Sequence, residues 1–258
     1  MKVVLFCGGL GTRLREHSDT IPKPLVPIGH RPILWHLMRY YAHYGHNDFI
    51  LCLGYRGDLI RQFFLDYNEC LSNDFVLADG GKKIELLTSD LDNWRITFVD
   101  TGLNSNIGQR LLKVRKYLAG EAMFLANYAD GLSDLPLDQH IADFQRRQVT
   151  ASFVAVPPAQ SFHGVQSDDA GIVTDFGPLK NAGFAINAGF FCLRSDMFDH
   201  IQEGDELVEQ PFARLIAQRK LAVFRYHGFW QAMDTLKDKM AFDSLDSAGQ
   251  CPWMVWKR

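Results

Sequence analysis

Three apolar runs in this chain stop on small or acidic residues. Lys2–Phe6 and Cys7 run into Gly8-Gly9, the stretch 49–53 runs into Gly54, and 123–126 runs through Asn127-Tyr128-Ala129 into Asp130-Gly131. An apolar run without alternation suits a strand covered on both faces, the strand of a parallel sheet. Between the first two runs, Pro32 opens a segment with Ile33, Leu37, Tyr40, Tyr41 and Tyr44 at helical spacing, closed by Gly45. Leu59, Ile60, Phe63, Phe64 and Tyr67 repeat the pattern after the second run. Strand, helix, strand, helix is the rhythm of an open parallel sheet flanked by helices. Alternation predicts strands at 83–87 and 94–99, a helix over 107–118, a helix near 136–147 and a strand at 150–156. The last third mixes strands at 171–175, 185–193 and 221–226 with helices at 196–202, 208–218 and 236–246. Pro157-Pro158 reads as a loop, and no linker or internal repeat interrupts the chain. The expectation is one α/β domain over 1–258 with a decorated C-terminal third.

Charge narrows the function. Lys plus Arg is 27 and Asp plus Glu is 30, a net of −3, which gives no general field for nucleic acid. The five cysteines are spread without C-x-x-C spacing, and three lie inside apolar runs, which suggests a reducing compartment. No segment approaches the ~20 apolar residues of a membrane span. The expectation is a soluble, cytoplasmic protein. The nine histidines lack H-E-x-x-H or H-x-x-x-H spacing, so zinc is not expected, and no G-x-S-x-G elbow suggests a serine hydrolase.

The first run leads into Gly8-Gly9-Leu10-Gly11-Thr12-Arg13-Leu14. Ligands bind beyond the carboxyl ends of parallel strands, and glycines let main-chain amides approach an anion. No G-K-[ST] follows, and Leu14 replaces the last glycine of the dinucleotide fingerprint. By itself the loop is as well read as a tight turn. Downstream, Ile21-Pro22-Lys23-Pro24-Leu25 holds a lysine between two prolines, each restricting the backbone, so Lys23 is aimed with little ordering cost.

G-G-x-G-T-R-L followed by P-K-P resembles the signature of the sugar-nucleotide pyrophosphorylases. The runs 31–36, 53–55, Val99-Asp-Thr-Gly102, Gly228-Phe-Trp-Gln231, Met233-Asp-Thr235 and 248–256 resemble the bacterial glucose-1-phosphate cytidylyltransferases over nearly the whole chain. The resemblance implies a Rossmann-like, mostly parallel sheet of the nucleotide-diphospho-sugar transferase type. It implies condensation of CTP with a sugar 1-phosphate to CDP-sugar and pyrophosphate, with Mg²⁺ held by Asp130 and Asp234. On residues alone, Asp130 reads equally as a turn aspartate and Asp234 as a helix N-cap. Carried over position by position, Arg13 and Lys23 are the catalytic candidates. Nucleotide contacts fall to Leu5, Phe6, Cys7, Gly8, Gly9, Gly11, Thr12, Arg13, Lys23, Ser105, Arg110 and Ala129. Family members assemble as homo-oligomers, which is the expectation here too.

The chain departs from the family on the acceptor side. The family's Phe-x-Glu-Lys-Pro-Lys corresponds to Asp175-Phe-Gly-Pro-Leu-Lys180-Asn181, with no Glu-Lys-Pro. Lys180 and Asn187 are the acceptor candidates. Gly-Asp-Gly becomes Ala129-Asp130-Gly131, and Ile107 and Gln109 replace a usual Thr and Gly. Two alternatives stand beside the sugar 1-phosphate expectation: a different, non-sugar phosphorylated acceptor, and a catalytically silent nucleotide-sugar sensor. A glycosyltransferase is less well supported, because a single Asp130-Gly131 stands where that class carries D-x-D.

Overall fold

The apolar runs become neighbouring strands. The computed structural model describes residues 1–9, 21–91, 93–158, 163–179 and 183–257. Its central sheet contains β1 (Lys2–Phe6), β2 (Asp48–Leu53), β3 (Arg95–Asp100), β4 (Met123–Tyr128), β5 (Ala151–Val156), β6 (Ile186–Asn187), β7 (Phe191–Arg194) and β8 (Leu221–Arg225). β1 lies between β2 and β4 in parallel register, with Val4 opposite Ile50 and Ala126, and β3 extends the parallel set beyond β2. β7 runs antiparallel between β4 and β5, and β8 is parallel to β5 on its other edge. The sheet is therefore mostly parallel, as the repeated apolar runs predict.

Alternation along each strand explains why the runs are apolar throughout. Val3, Leu5, Leu51 and Leu125 point into one core, and Val4, Phe6, Ile50 and Ala126 into the other. The first core is covered by α1 (Ile33–His43) through Ile33, Leu37, Tyr40 and Tyr41. α4 (Leu137–Arg147) adds Phe144 to it, and α6 (Leu236–Ser247) adds Phe242. The second core is covered by α3 (Ile107–Val114) through Leu111 and Val114, and by α5 (Gln210–Ala217) through Phe212 and Leu215. α2 (Gly57–Leu65) adds Ile60 to the first core. Each fully buried aliphatic or aromatic side chain stabilises by about 1.5–3 kcal/mol, so two-sided coverage holds the strand ends rigidly.

Several boundaries differ from the sequence expectation. The helix predicted over 107–118 ends as α3 at Val114 and tightens into a 3-10 turn, Arg115–Leu118. The helix predicted at 196–202 is a 3-10 segment, Ser195–His200. The strand predicted at 171–175 lies at Val173–Pro178 and pairs antiparallel with His163–Ser167, a strand the pattern missed. Residues 83–87 likewise join a hairpin with Phe75–Ala78. Both hairpins stand largely in solvent, where no buried face enforces alternation. The predicted strand 185–193 is split into β6 and β7 at Ala188–Phe190. There Gly189 has φ +76°, and Asn127 Oδ1 accepts the Phe190 N–H at 2.9 Å. A Cβ at Gly189 would stand 2.2 Å from that oxygen, so the break needs glycine. No described helix is long and apolar enough to cross a membrane.

Candidate active site

The loops that leave β1, β3 and β4 line one cavity of about 210 Å³ at the carboxyl edge of the sheet. Its lining brings Gly8, Gly9, Lys23, Pro24, Ala129 and Asp130 together with Ser105–Ile107, Arg110, Tyr128 and Glu206. A wider groove of about 780 Å³ near Lys113, Arg115 and Phe198 contains none of the motif residues, so size alone does not locate the site.

Lys23 opens a 3-10 turn, Lys23–Leu25, after Pro22 in extended geometry, with Pro24 buried beneath it. This stiff segment delivers the ammonium to two carboxylates. Lys23 Nζ donates to Asp130 Oδ2 and to Asp234 Oδ1, both at 2.6 Å. Burial by itself would lower the Lys23 pKa, but the charge of Asp130, with Asp234, outweighs it and the pKa is raised. The lysine is cationic at neutral pH.

The partnership of residues so distant in sequence comes from a two-stranded ribbon. Gly131–Ser133, directly after Asp130, pairs antiparallel with Trp230–Ala232, Gly131 opposite Ala232. The Met233 N–H then donates to the Asp130 carbonyl at 2.8 Å, which sets Asp234 beside Asp130. The N-cap of α6 is Thr235, not Asp234: its side chain and Asp238 form a reciprocal capping box. The Asp234 side chain is thereby left to face Lys23.

Two carboxylates that converge on one positive charge suit a divalent cation, which takes hard oxygen ligands from one or two carboxylates plus substrate phosphates. No group of three or more His, Cys, Asp or Glu side chains is gathered for a metal among the described residues. A bound ion would thus have to complete its shell with phosphate and water.

Arg110 is 3% exposed and lies across the strand ends. Its guanidinium donates to the Gly8 carbonyl (3.0 Å), the Leu53 carbonyl (3.1 Å), Thr101 Oγ1 (2.7 Å) and the Leu103 carbonyl (3.3 Å). It therefore fastens the glycine turn to β2 and to the 101–103 turn, while one edge lines the cavity. A Cβ on Gly8 would stand 2.0 Å from the Arg110 guanidinium, so glycine is required there by close approach. The Ser105 hydroxyl donates to the Thr101 carbonyl and accepts from Lys113 at 3.0 Å. Phe6, at the end of β1, and Cys7 after it line the cavity, whereas Leu5 is buried in the first core. Burial pushes the Cys7 thiol well above its usual range, so it is no nucleophile.

Sequence reasoning missed Tyr128 and Glu206. Tyr128 ends a strand and reads as core; burial, then the Glu206 charge, push its hydroxyl up to about 12. Glu206 lies in a C-terminal loop with no motif around it, so no local signal could have found it. Gly11, Thr12 and Arg13 lie outside the described residues, as does Lys180. Asn187, the other acceptor candidate, pairs with Ala155 in β6, and its Oδ1 accepts the Gly189 N–H at 2.9 Å.

Comparison with known proteins places this geometry. A family described as nucleotidyl transferase matches residues 2–231. The chain is 39% identical over 264 residues to the glucose-1-phosphate cytidylyltransferase of Salmonella typhi, covering all of both chains, and equally to that of Salmonella typhimurium. Among solved structures, UDP-glucose pyrophosphorylase in complex with UDP-glucose shares the fold, with a TM-score of 0.70 at 15% identity over 96% of this chain and 98% of that one. With residues 2–231 matched, the chain belongs to the nucleotidyl transferase family.

Proposed function

We propose that the protein transfers the cytidylyl group of CTP to the phosphate of a sugar 1-phosphate, glucose 1-phosphate first, releasing pyrophosphate. The observation that carries this is the Lys23 ammonium at 2.6 Å from both Asp130 and Asp234, beside the glycine turn. An oxygen of the acceptor phosphate attacks the α-phosphorus in line, a new P–O bond forms, and the bond to the β-phosphate oxygen breaks. A phosphate oxygen is already ionised near neutral pH, so no general base or covalent residue is needed. Positioning and neutralisation of charge then supply the catalysis. The Gly8-Gly9 amides, with Gly11, Thr12 and Arg13, hold the triphosphate. Lys23 compensates charge at the α-phosphate. Asp130 and Asp234 hold Mg²⁺, which supplies Lewis-acid stabilisation of the phosphates when bound. The likeness to the named cytidylyltransferases supports CTP and glucose 1-phosphate as the first pair to assay.

A second acceptor, phosphorylated but not a sugar, is favoured by one observation. The hairpin formed by His163–Ser167 and Val173–Pro178 exposes Val165, Val173 and Phe176 beside the 175–181 stretch that lacks the family's charged Glu-Lys-Pro. Pyrophosphate release from four nucleoside triphosphates against a panel of phosphorylated acceptors separates the two. Turnover of CTP with glucose 1-phosphate at about 10⁴ M⁻¹s⁻¹ or more supports the sugar acceptor. Robust turnover only with another acceptor supports the second. No pyrophosphate from any pair refutes transfer altogether. We further propose that the whole chain acts as one domain in a cytoplasmic homo-oligomer, supported by the exposed Leu77, Ile84 and Leu87 of the 75–87 arm. Light scattering that finds only monomer at micromolar concentration would refute the oligomer.

A further inference from the structure

The cavity lined by Lys23 and Asp130 holds a second carboxylate, Glu206, whose setting differs: it is not paired with Lys23. Glu206 follows the 3-10 segment Ser195–His200 and reaches the start of α3, where it lines the cavity with Tyr128 and Ser105–Ile107. An anion here repels phosphate. On the cytidylyl-transfer reading, the triphosphate lies toward Lys23 and Gly8-Gly9, which leaves the nucleoside for Glu206.

The polar side chains of the neighbouring 105–110 segment are already committed to the fold. The Ser105 hydroxyl donates to the Thr101 carbonyl. The Asn106 side chain accepts from the Gln109 N–H at 2.8 Å and donates to the Gly204 carbonyl at 3.0 Å. Gln109 Oε1 accepts the Asn106 N–H at 3.0 Å, closing the capping box of α3. Arg110 is turned onto carbonyls and a hydroxyl. Glu206 differs. Its Oε2 accepts the Ile107 N–H at 3.3 Å and its Oε1 the Leu207 N–H at 3.0 Å. A carboxylate offers about four lone-pair positions, so each oxygen retains one for a ligand. No Lys or Arg side chain among the described residues pairs with it.

We propose, on the footing of the cytidylyl-transfer reading above, that Glu206 reads the base: its carboxylate accepts a hydrogen bond from the exocyclic amino group of cytosine. An ionised carboxylate only accepts, so it selects a donor. Uracil presents a carbonyl at the same ring position, and two acceptors brought face to face out of water repel and lose their hydration. Carboxylate against the cytosine amino group is also the pairing by which proteins recognise cytosine in nucleic acids. The assignment explains how a loop with Ile107 and Gln109 in place of the family's Thr and Gly selects its base: the selecting group comes from another part of the chain.

Glu206→Gln tests it. The side chain keeps its length and an oxygen for the Ile107 N–H, but gains an amide donor that suits the uracil carbonyl. Calorimetric affinity and kcat/KM are measured for CTP and UTP on both proteins, with melting temperature as a check on folding. The expected result is a CTP preference in the parent protein that falls by about tenfold or more in the variant, with UTP gaining. Because the preference is a ratio within one preparation, a partly unfolded variant still reports it. Equal losses for both nucleotides, as a ribose contact or a purely structural role gives, overturn the proposal, and so does an unchanged ratio. A parent protein that binds CTP without preference overturns base reading alone. A parent protein that binds neither nucleotide overturns cytidylyl transfer, and base reading with it.

Discussion

The region around Lys23 and the 163–178 hairpin, proposed above for nucleotide and acceptor, hold their residues in opposite ways. Around Lys23 the side chains are ion-paired, half-buried and carried on short turns beside strands covered by helices on both faces. Across the sheet, the 163–178 hairpin stands out with Phe176 66% exposed, its ring stacked on His163 at 5.2 Å. A site that stabilises a developing charge needs fixed dipoles, and fixed dipoles need a packed support. A surface that only distinguishes one acceptor from another can vary without disturbing that support, because it contributes little to the core. The family signature survives in the first region and is rewritten in the second, as this division requires.

The comparison breaks at once if the packed region is not catalytic. Asp130→Asn or Asp234→Asn preserves shape and removes one ligand charge, and kcat should fall by about 10³-fold or more while the melting temperature stays near that of the parent. Steady-state pyrophosphate release with Mg²⁺ saturating is the measurement; near-parental activity in either variant removes that residue from the site. Lys23→Met keeps the apolar stem and should lower kcat and kcat/KM together by about 10²-fold. A rise confined to the KM for CTP would make Lys23 a ground-state binding group instead.

Acid sharpens the comparison through stability. His36 in α1 is 2% exposed, its Nε2 bonded to the Ile28 carbonyl at 3.1 Å, while the Trp253 indole donates to its Nδ1 at 3.3 Å. That pair of bonds fixes a neutral ring, and burial lowers its pKa to about 4. The unfolded chain, with an ordinary histidine near 6.5, takes up the proton first as pH falls. Stability is therefore full above about pH 6.5 and declines toward pH 4, by at most about 3 kcal/mol for this group. Urea unfolding at pH 7 and pH 5 should show the decline, and His36→Gln should lessen it. The remainder belongs to His140 and His46, which burial lowers to about 4 as well. An equal slope in the variant would refute the assignment. The smallest effect belongs to the exposed hairpin. Phe176→Ser should change unfolding free energy by no more than about 0.5 kcal/mol. A loss above about 2 kcal/mol would mean the hairpin is packed, and the contrast between the two regions would fail.

Legibility followed burial. β1, β2 and β4 could be read because both faces are covered, leaving an apolar run that ends where the loops begin. α1 could be read because one stripe of Ile33, Leu37, Tyr40 and Tyr41 faces the core. The 163–178 hairpin and the 75–78 strand were read poorly, since side chains in water on both faces need keep no period. Lys83–Leu86 does alternate and falls where a strand is expected. The break at Ala188–Phe190 was missed because its cause is Asn127, sixty-three residues away from Phe190 in the chain.

The sequence alone determined the strand–helix order, the glycine turn after β1 and a lysine stiffened by Pro22 and Pro24, all properties of neighbouring residues and local backbone restriction. Tertiary structure decided the rest. Only the ribbon between Gly131–Ser133 and Trp230–Ala232 sets Asp234 against Asp130, and only the crossing of α3 lays Arg110 over Gly8 and holds Glu206 at the cavity through the Ile107 N–H. Such contacts join residues about a hundred positions apart. Their free energy is gained only after the chain has paired its strands and closed the intervening loops, so no local pattern can encode them.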